Sequence, residues 1–218
     1  MTERAIIVAN GALTGPEVLR ARLDGWRDAL VIAADGGGHN AVDLGLRVDV
    51  VIGDQDSLDA ALREHLAEQG AQFETVPAHK DETDLELALL YAARQGVDEM
   101  VILGAVGKRL DMSLANILLL TLPELEGRPV RLWDGGQTAW LITPPGDAVR
   151  GQPGDTLSLI PLGGPAEGIR TDGLDYPLRD ETLMFGPARG VSNVLCSEHA
   201  EVRLRAGILL AVHTPGRA

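Results

Sequence analysis

Residues Ala29-Leu30-Val31-Ile32-Ala33-Ala34-Asp35-Gly36-Gly37-Gly38 run from six apolar positions straight into an acid and three glycines. An apolar run this short, with β-branched residues and a glycine stop, predicts a strand buried on both faces. The same pattern recurs around it. Val48, Val50, Val51 and Ile52 stop at Gly53-Asp54, and Ala5 to Ala9 stop at the turn-forming pair Asn10-Gly11. Gln72 to Val76, Met100 to Leu103 and Val130 to Trp133 supply three more candidate strands. Helical patterns fall between them: after Pro16, around Ala41, Val42 and Leu44, through Ala60, Leu62 and Leu66, through Leu85 to Ala92, and from Leu110 to Leu122. Short buried strands alternating with helices predict βα units and a mainly parallel sheet. Such sheets receive ligands beyond the carboxyl ends of their strands.

After Asp134 the texture changes. Glycine and proline recur in Pro144-Pro145-Gly146, Gln152-Pro153-Gly154 and Pro161-Leu162-Gly163-Gly164-Pro165. Short β-like pieces lie between them: 139–142, 156–160, 168–171, 200–205 and 208–212. The expected architecture is an α/β domain over residues 1–133, its mainly parallel sheet flanked by helices. A small all-β, sandwich-like domain follows over 134–218.

The chain has 218 residues and a formal net charge of -13, which disfavours non-specific nucleic-acid binding. Aromatic residues make up only 3 % of it, little material for stacking bases. Cys196 is the single cysteine, so neither an intrachain disulfide nor a thiolate zinc site is expected. No apolar segment has membrane-spanning length and no secretory signal is visible, so the expected location is cytoplasmic, with no membrane partner.

The acids fall where the fold wants ligands. Asp35 and Asp54 each follow an apolar strand, Asp56 follows in the same loop, Asp81 and Asp84 head a helix, and Asp111 opens another. Any one of them is explained equally well as a turn residue or helix cap. Capping does not explain why so many collect at strand ends of one half. Gathered on one rim they would repel one another, and a hard cation relieves this. Mg²⁺ prefers carboxylate and phosphate oxygens and commonly takes one or two protein carboxylates directly. Asp54 and Asp56 are the leading metal pair, Asp81 and Asp84 the next, since helix positions three apart share a face. Lys80, Lys108 and Arg109 supply the opposite charge that polyphosphate transfer needs. Gly36-Gly37-Gly38 and Gly104-Ala105-Val106-Gly107 would let backbone approach a nucleotide, though neither is a P-loop or a GxGxxG fingerprint.

These stretches together resemble the thiamine pyrophosphokinase family: Ala34-Asp35-Gly36-Gly37, Gly53-Asp54-Gln55-Asp56-Ser57, Lys80-Asp81-Glu82-Thr83-Asp84, Gly107-Lys108-Arg109-Leu110-Asp111 and, late in the chain, Ser192-Asn193. The resemblance implies Mg²⁺-dependent transfer of pyrophosphate from ATP to thiamine, giving thiamine diphosphate and AMP. It also implies that residues 1–133 form the Mg-ATP-binding catalytic domain, that the β domain over 134–218 contributes to acceptor binding and dimerisation, and that the chain forms a homodimer with active sites near the subunit interface. Asp54, Asp56, Asp81 and Asp84 would organise Mg²⁺-ATP. Asp35, Gly36, Gly37, Lys80, Gly107 and Lys108 would line the nucleotide pocket. Arg109 and Asp111 would arrange phosphates and acceptor, Ser192 and Asn193 would face thiamine, and either Asp81 or Asp111 would accept the hydroxyl proton. The chain departs from the family at Lys108, where a small glycine is common, and at Met112, where a polar ring is. No Trp, Tyr or Phe follows Phe185. Two alternatives accompany this reading: a pyrophosphokinase acting on a pterin or another hydroxymethyl heterocycle, and a non-catalytic metal-nucleotide-binding protein.

Overall fold

The computed structural model describes residues 3–54, 57–76 and 81–216. They form two compact units, Met1–Gly135 and Gly136–Ala218.

In the first unit the strands are β1 (Arg4–Val8), β2 (Leu30–Ala34), β3 (Val50–Gly53), β4 (Gln72–Thr75), β5 (Glu99–Leu103) and β6 (Val130–Asp134). They pair in parallel in the order β4-β3-β2-β1-β5-β6. The connecting helices are α1 (Pro16–Leu23), α2 (Gly37–Asp43), α3 (Ala60–Glu68), α4 (Asp84–Arg94) and α5 (Leu110–Leu118). One face of the sheet packs Ile6, Val8, Ala33, Val51 and Val101 against Leu19 of α1, Ala41 of α2 and Leu66 of α3. The alternate residues Ile7, Ile32, Met100 and Ile102 are fully buried too, and α4 adds the buried Leu85, Ala88, Leu89 and Ala92. Burial on both faces is why these strands read as continuous apolar runs. The helix expected to reach Leu122 stops at Leu118 and continues as short 3-10 turns at Leu119–Thr121 and Pro123–Leu125. Pro123 has no N–H to donate and disfavours helix in the residue before it.

The order places a topological switch between β1 and β5. From β1 the chain moves to β2 on one side, and β5 lies on the other. The loops leaving these two strands are laced together: the Gly11 N–H donates to the Gly104 carbonyl at 2.6 Å and the Ala12 N–H to the Val106 carbonyl at 2.9 Å. A Cβ on Gly11 would lie 2.3 Å from the Gly104 oxygen, so only glycine permits this approach.

The second unit is antiparallel. Its strands are β7 (Gln137–Ile142), β8 (Gly146–Arg150), β9 (Thr156–Asp172), β10 (Arg179–Leu183), β11 (Asn193–Val194), β12 (His199–Arg203) and β13 (Ala206–Thr214). β13 pairs with β7 and β9, and β12 with β8 and β9, while β10 and β11 also pair with β9. The stretches 156–160 and 168–171, expected as separate strands, are two ends of the single strand β9. Its first half pairs with β11 and β13 and its second half with β10 and β12. Gly163-Gly164-Pro165 therefore marks a bend inside a strand, a place where glycine and proline are tolerated. Ile142, Val149, Leu157, Leu159, Ala166, Ile169, Val202 and Leu209 form its core.

Candidate active site

The carboxyl edge of the parallel sheet carries the acids. Asp35 follows β2 in a left-handed conformation (φ 43°) that its short polar side chain tolerates, and its N–H donates to the Ile52 carbonyl at 2.8 Å. The residue is 5 % exposed, and Oδ1 is fully buried without a hydrogen-bond partner among the described residues. Gly53 ends β3 at φ 151°, and a Cβ there would lie 2.8 Å from Asp35 Cβ and 3.1 Å from Asp84 Oδ1. Gly53 is thus the wedge on which Asp35 and Asp84 converge, and Asp54 is its chain neighbour. That juxtaposition joins β2, β3 and the head of α4.

The helix caps separate the ordinary explanation from the functional one. Helix α3 is capped by Asp59, whose side chain accepts the Leu62 N–H at 2.8 Å. Helix α4 is capped by Thr83, which accepts the Glu86 N–H at 3.2 Å. Neither Asp54 nor Asp81 serves as a cap. Asp84 is the first helical residue, where the helix dipole favours a negative charge. Asp81 lies before the cap, so it and Asp84 do not share a helical face as the spacing predicted. Asp56 and Lys80 lie outside the described residues.

Among the described residues, no group of three or more His, Cys, Asp or Glu side chains is placed to hold a metal unaided. The donor set nevertheless fits a hard cation that draws its remaining oxygens from phosphate and water. It is all carboxylate, and among the described residues one of its oxygens is buried with no donor to accept from.

Glycines Gly36 and Gly37 leave room for close approach of backbone. A Cβ on Gly36 would meet Asn10 Nδ2 at 2.3 Å, and one on Gly37 the Val8 carbonyl at 2.0 Å. Lys108, at φ 59°, folds over the switch point and donates from Nζ to the Asn10 carbonyl at 3.0 Å. Gly107 contacts Ala12 closely, and its N–H donates to Ser113 Oγ. Arg109 and Asp111 form a two-pronged pair at 3.1 and 2.5 Å, both side chains about two-thirds exposed. The guanidinium, helped by the Met112 N–H, pulls the Asp111 carboxyl down to about 2. The structure therefore brings together Asp35, Gly53, Asp54 and Asp84 at one point and Lys108 with Asn10 at the switch. It holds Arg109 and Asp111 to each other.

In the second unit, Ser192 adopts φ 60° and its N–H donates to Ser158 Oγ at 3.0 Å. Asn193 spends its amide on the chain: Oδ1 accepts from the Tyr176 and Val194 N–H groups, and Nδ2 donates to the Tyr176 carbonyl.

Comparison with known proteins fits this arrangement. Residues 24–132 match the family model described as "Thiamin pyrophosphokinase, catalytic domain". Residues 147–209 match "Thiamin pyrophosphokinase, vitamin B1 binding domain". The chain belongs to the thiamin pyrophosphokinase family. Thiamine pyrophosphokinase from Bacillus subtilis (strain 168) is 29% identical over 204 residues, spanning 92% of this chain and 95% of that protein. A crystal structure of thiamine pyrophosphokinase from Bacillus subtilis superposes with a TM-score of 0.86 at 26% identity, covering 97% of this chain and 99% of that one. The yeast thiamin pyrophosphokinase structure shares the fold, with a TM-score of 0.81 at 15% identity over 98% of this chain and 86% of that one.

Within a thiamin pyrophosphokinase frame, three amides stand out that the motifs passed over. Asn40 is buried and donates to the Ala9 and Gly11 carbonyls at 2.7 and 3.0 Å. Asn116 is buried and donates to the Ala105 carbonyl at 2.7 Å, and Asn10 lies under Lys108. Lone asparagines carry no spacing signal. Only the position of Asn10-Gly11 after a strand at the switch point could have singled one out. A cavity of about 830 Å³ lies at the other edge of the sheet, lined by strand starts such as Leu30, Val50 and Gln72. None of Asp35, Asp54, Asp84 and Asp111 lines it.

Proposed function

We propose that this chain is an Mg²⁺-dependent thiamine pyrophosphokinase, transferring pyrophosphate from ATP to thiamine and giving thiamine diphosphate and AMP. One observation carries the reading: a catalytic-domain match and a vitamin B1 binding-domain match occupy successive parts of one chain. The convergence of Asp35 and Asp84 on Gly53, next to Asp54, supports the metal assignment. A pterin acceptor is not favoured, because the second match is to a vitamin B1 domain.

Asp54 and Asp84, with Asp56 and Asp81 from the same motifs, would hold Mg²⁺, and Asp35 would present its free oxygen to it. The bound ion would offset phosphate charge. Gly36 and Gly37, packed against Asn10 and the Val8 carbonyl, hold the turn after β2 that would line the nucleotide pocket, and Lys108, Arg109 and Lys80 draw the phosphates. The acceptor oxygen attacks the β-phosphorus and AMP leaves, with no covalent enzyme intermediate. Asp111 is a poor proton acceptor while Arg109 holds it. Both side chains are exposed, so a phosphate that draws Arg109 away also frees Asp111 to take the hydroxyl proton. Asp81, exposed ahead of α4, is the other carboxylate assigned to that step.

A homodimer belongs to the same proposal. Leu110, Leu114 and Leu118 recur every fourth residue along α5 and are 88%, 59% and 45% exposed. Such an apolar stripe is expected to be covered by a second copy.

AMP release from ATP tests the reading. It should require both Mg²⁺ and thiamine and should cease with EDTA. Asp54→Asn should lower it at least about a hundredfold with the fold intact, as loss of a key electrostatic group does. Release of AMP without thiamine, or unchanged turnover in the folded variant, would reject it.

A further inference from the structure

A buried Asp155 and a half-buried His213 form an acid–imidazole pair in the second unit, with Nε2 and Oδ2 2.9 Å apart. Asp155 is the better connected of the two. Its Oδ2 also accepts the Gln152 N–H at 2.7 Å, and its Oδ1 accepts the Gly216 N–H at 2.7 Å. Burial alone would raise this carboxyl, but these donors and His213 outweigh it and hold it below the usual carboxylate range. A Cβ on Gly151 would lie 2.7 Å from both Asp155 Oδ2 and His213 Nε2, so the pair is packed over by a residue that must be small.

The backbone of Asp155 points to its role. Its carbonyl accepts the Leu195 N–H at 2.9 Å, and the Leu195 carbonyl accepts the Gly154 N–H at 2.8 Å. The next residues of β9 continue the same junction. Leu157 pairs with Asn193 on one side and with His213 on the other, and Thr156 pairs with Val194 and Thr214. Asn193, Leu157 and His213 therefore lie on one rung across three strands. β11 is only two residues long. So short a strand contributes few ladder bonds of its own and depends on its ends for register. One end is tied through Asn193 to Tyr176 and the other through Leu195 to Asp155.

We infer that Asp155 and His213 are positioning residues for the acceptor side of the reaction, fixing the Ser192–Leu195 segment against β9, whose other edge β13 holds. The inference rests on the reading that Ser192 and Asn193 face thiamine. Neither member of the pair need touch substrate. A carboxylate with three donors is a rigid anchor, whereas losing His213 leaves a buried charge with one partner fewer, and the junction can relax around it.

Steady-state kinetics of the full chain, with each substrate varied in turn, tests this. His213→Ala should raise KM for thiamine about tenfold, within the hundredfold that a misplacement of about 1 Å can cost. KM for ATP and kcat should stay within about twofold, the signature of lost acceptor binding. His213→Gln, which keeps an N–H to donate, should restore KM. Should His213→Ala not fold, His213→Asn, too short to reach Asp155, takes its place. Two further variants fix the interpretation: Ser192→Ala within the segment, and Val149→Ala in the core of the same unit as a control for general destabilisation. Unchanged thiamine KM in the His213 variant beside a raised KM in Ser192→Ala overturns the inference and leaves the acceptor reading standing. Unchanged KM in Ser192→Ala removes the acceptor reading and the inference with it. An equal rise in Val149→Ala overturns the inference, because the effect is then mere loss of stability.

Discussion

At the scale of single residues the site is built from conflicts that the fold tolerates. Asp35 combines a left-handed backbone with a buried carboxylate oxygen that has no partner among the described residues. Both features cost stability unless a ligand uses them. Asp35→Asn removes the charge from that position. It should therefore raise metal-free stability by about 1 kcal/mol, because the amide still lacks a partner there but no longer buries a charge. Thermal melts in EDTA should show the rise, and turnover should fall in the same variant; a lower melting temperature would mean that Asp35 has a structural partner. Asp155 is the contrasting case, a buried acid with every donor in place. Its pKa is lowered on folding, so its stabilisation is fully present above the unfolded value of about 3.9 and is lost as pH falls towards the folded one. Asp155→Asn should consequently cost more stability at neutral pH than near pH ~2.5, and denaturant midpoints at the two pH values read the difference; equal costs would refute the linkage. The sequence marks Asp35, at a strand end within a family-like stretch, and passes over Asp155. What distinguishes them is partner geometry, which single positions do not encode.

Elements were legible in proportion to how local their cause is. The β2–Asp35–Gly36 and β3–Gly53–Asp54 junctions follow from apolar runs that stop at glycine, and they position the acids at strand ends. Strand β9 was not legible as one strand, because its central Gly163-Gly164-Pro165 reads as a turn. It stays a strand because β13 on one half and β10 and β12 on the other supply partners from distant sequence. Helix α4 is the element on which site geometry turns. Thr83 fixes its first turn, and that turn carries Asp84 to Gly53. Thr83→Ala should cost about 1 kcal/mol, as lost N-caps do, and should also lower turnover, since the first turn frays where Asp84 must be held. Thr83→Ser, retaining the hydroxyl acceptor, should recover both. Lost stability with undiminished turnover would show that Asp84 is held by something other than the cap.

On the scale of the whole molecule, the α/β and β-rich classes of the two units were legible because each has its own periodicity. The outward face of α5 was not. A helix whose outer face repeats Leu110, Leu114 and Leu118 looks, in sequence, like any helix with a buried stripe. Only the structure shows that this stripe faces outward while Asn116 faces in. The buried Asn116 donates to the Ala105 carbonyl, which fixes the helix's rotation and leaves the leucines on the solvent side. Exposure of three leucines in line on a chain carrying a net charge of -13 is costly unless a second surface covers them. Charges placed there should therefore separate the proposed dimer. A Leu114→Glu, Leu118→Glu double variant should sediment as a monomer at concentrations where the parent chain is a dimer. Its melting temperature should become independent of protein concentration, as mass action requires once association is lost. Leu110 immediately follows Arg109 and precedes Asp111, so dissociation should also loosen the loop that carries the guanidinium proposed to draw the phosphates, and turnover should fall with the dimer. A double variant that stays dimeric would place the subunit contact elsewhere, and a monomer with full turnover would show that α5 positions Arg109 without help from a second copy.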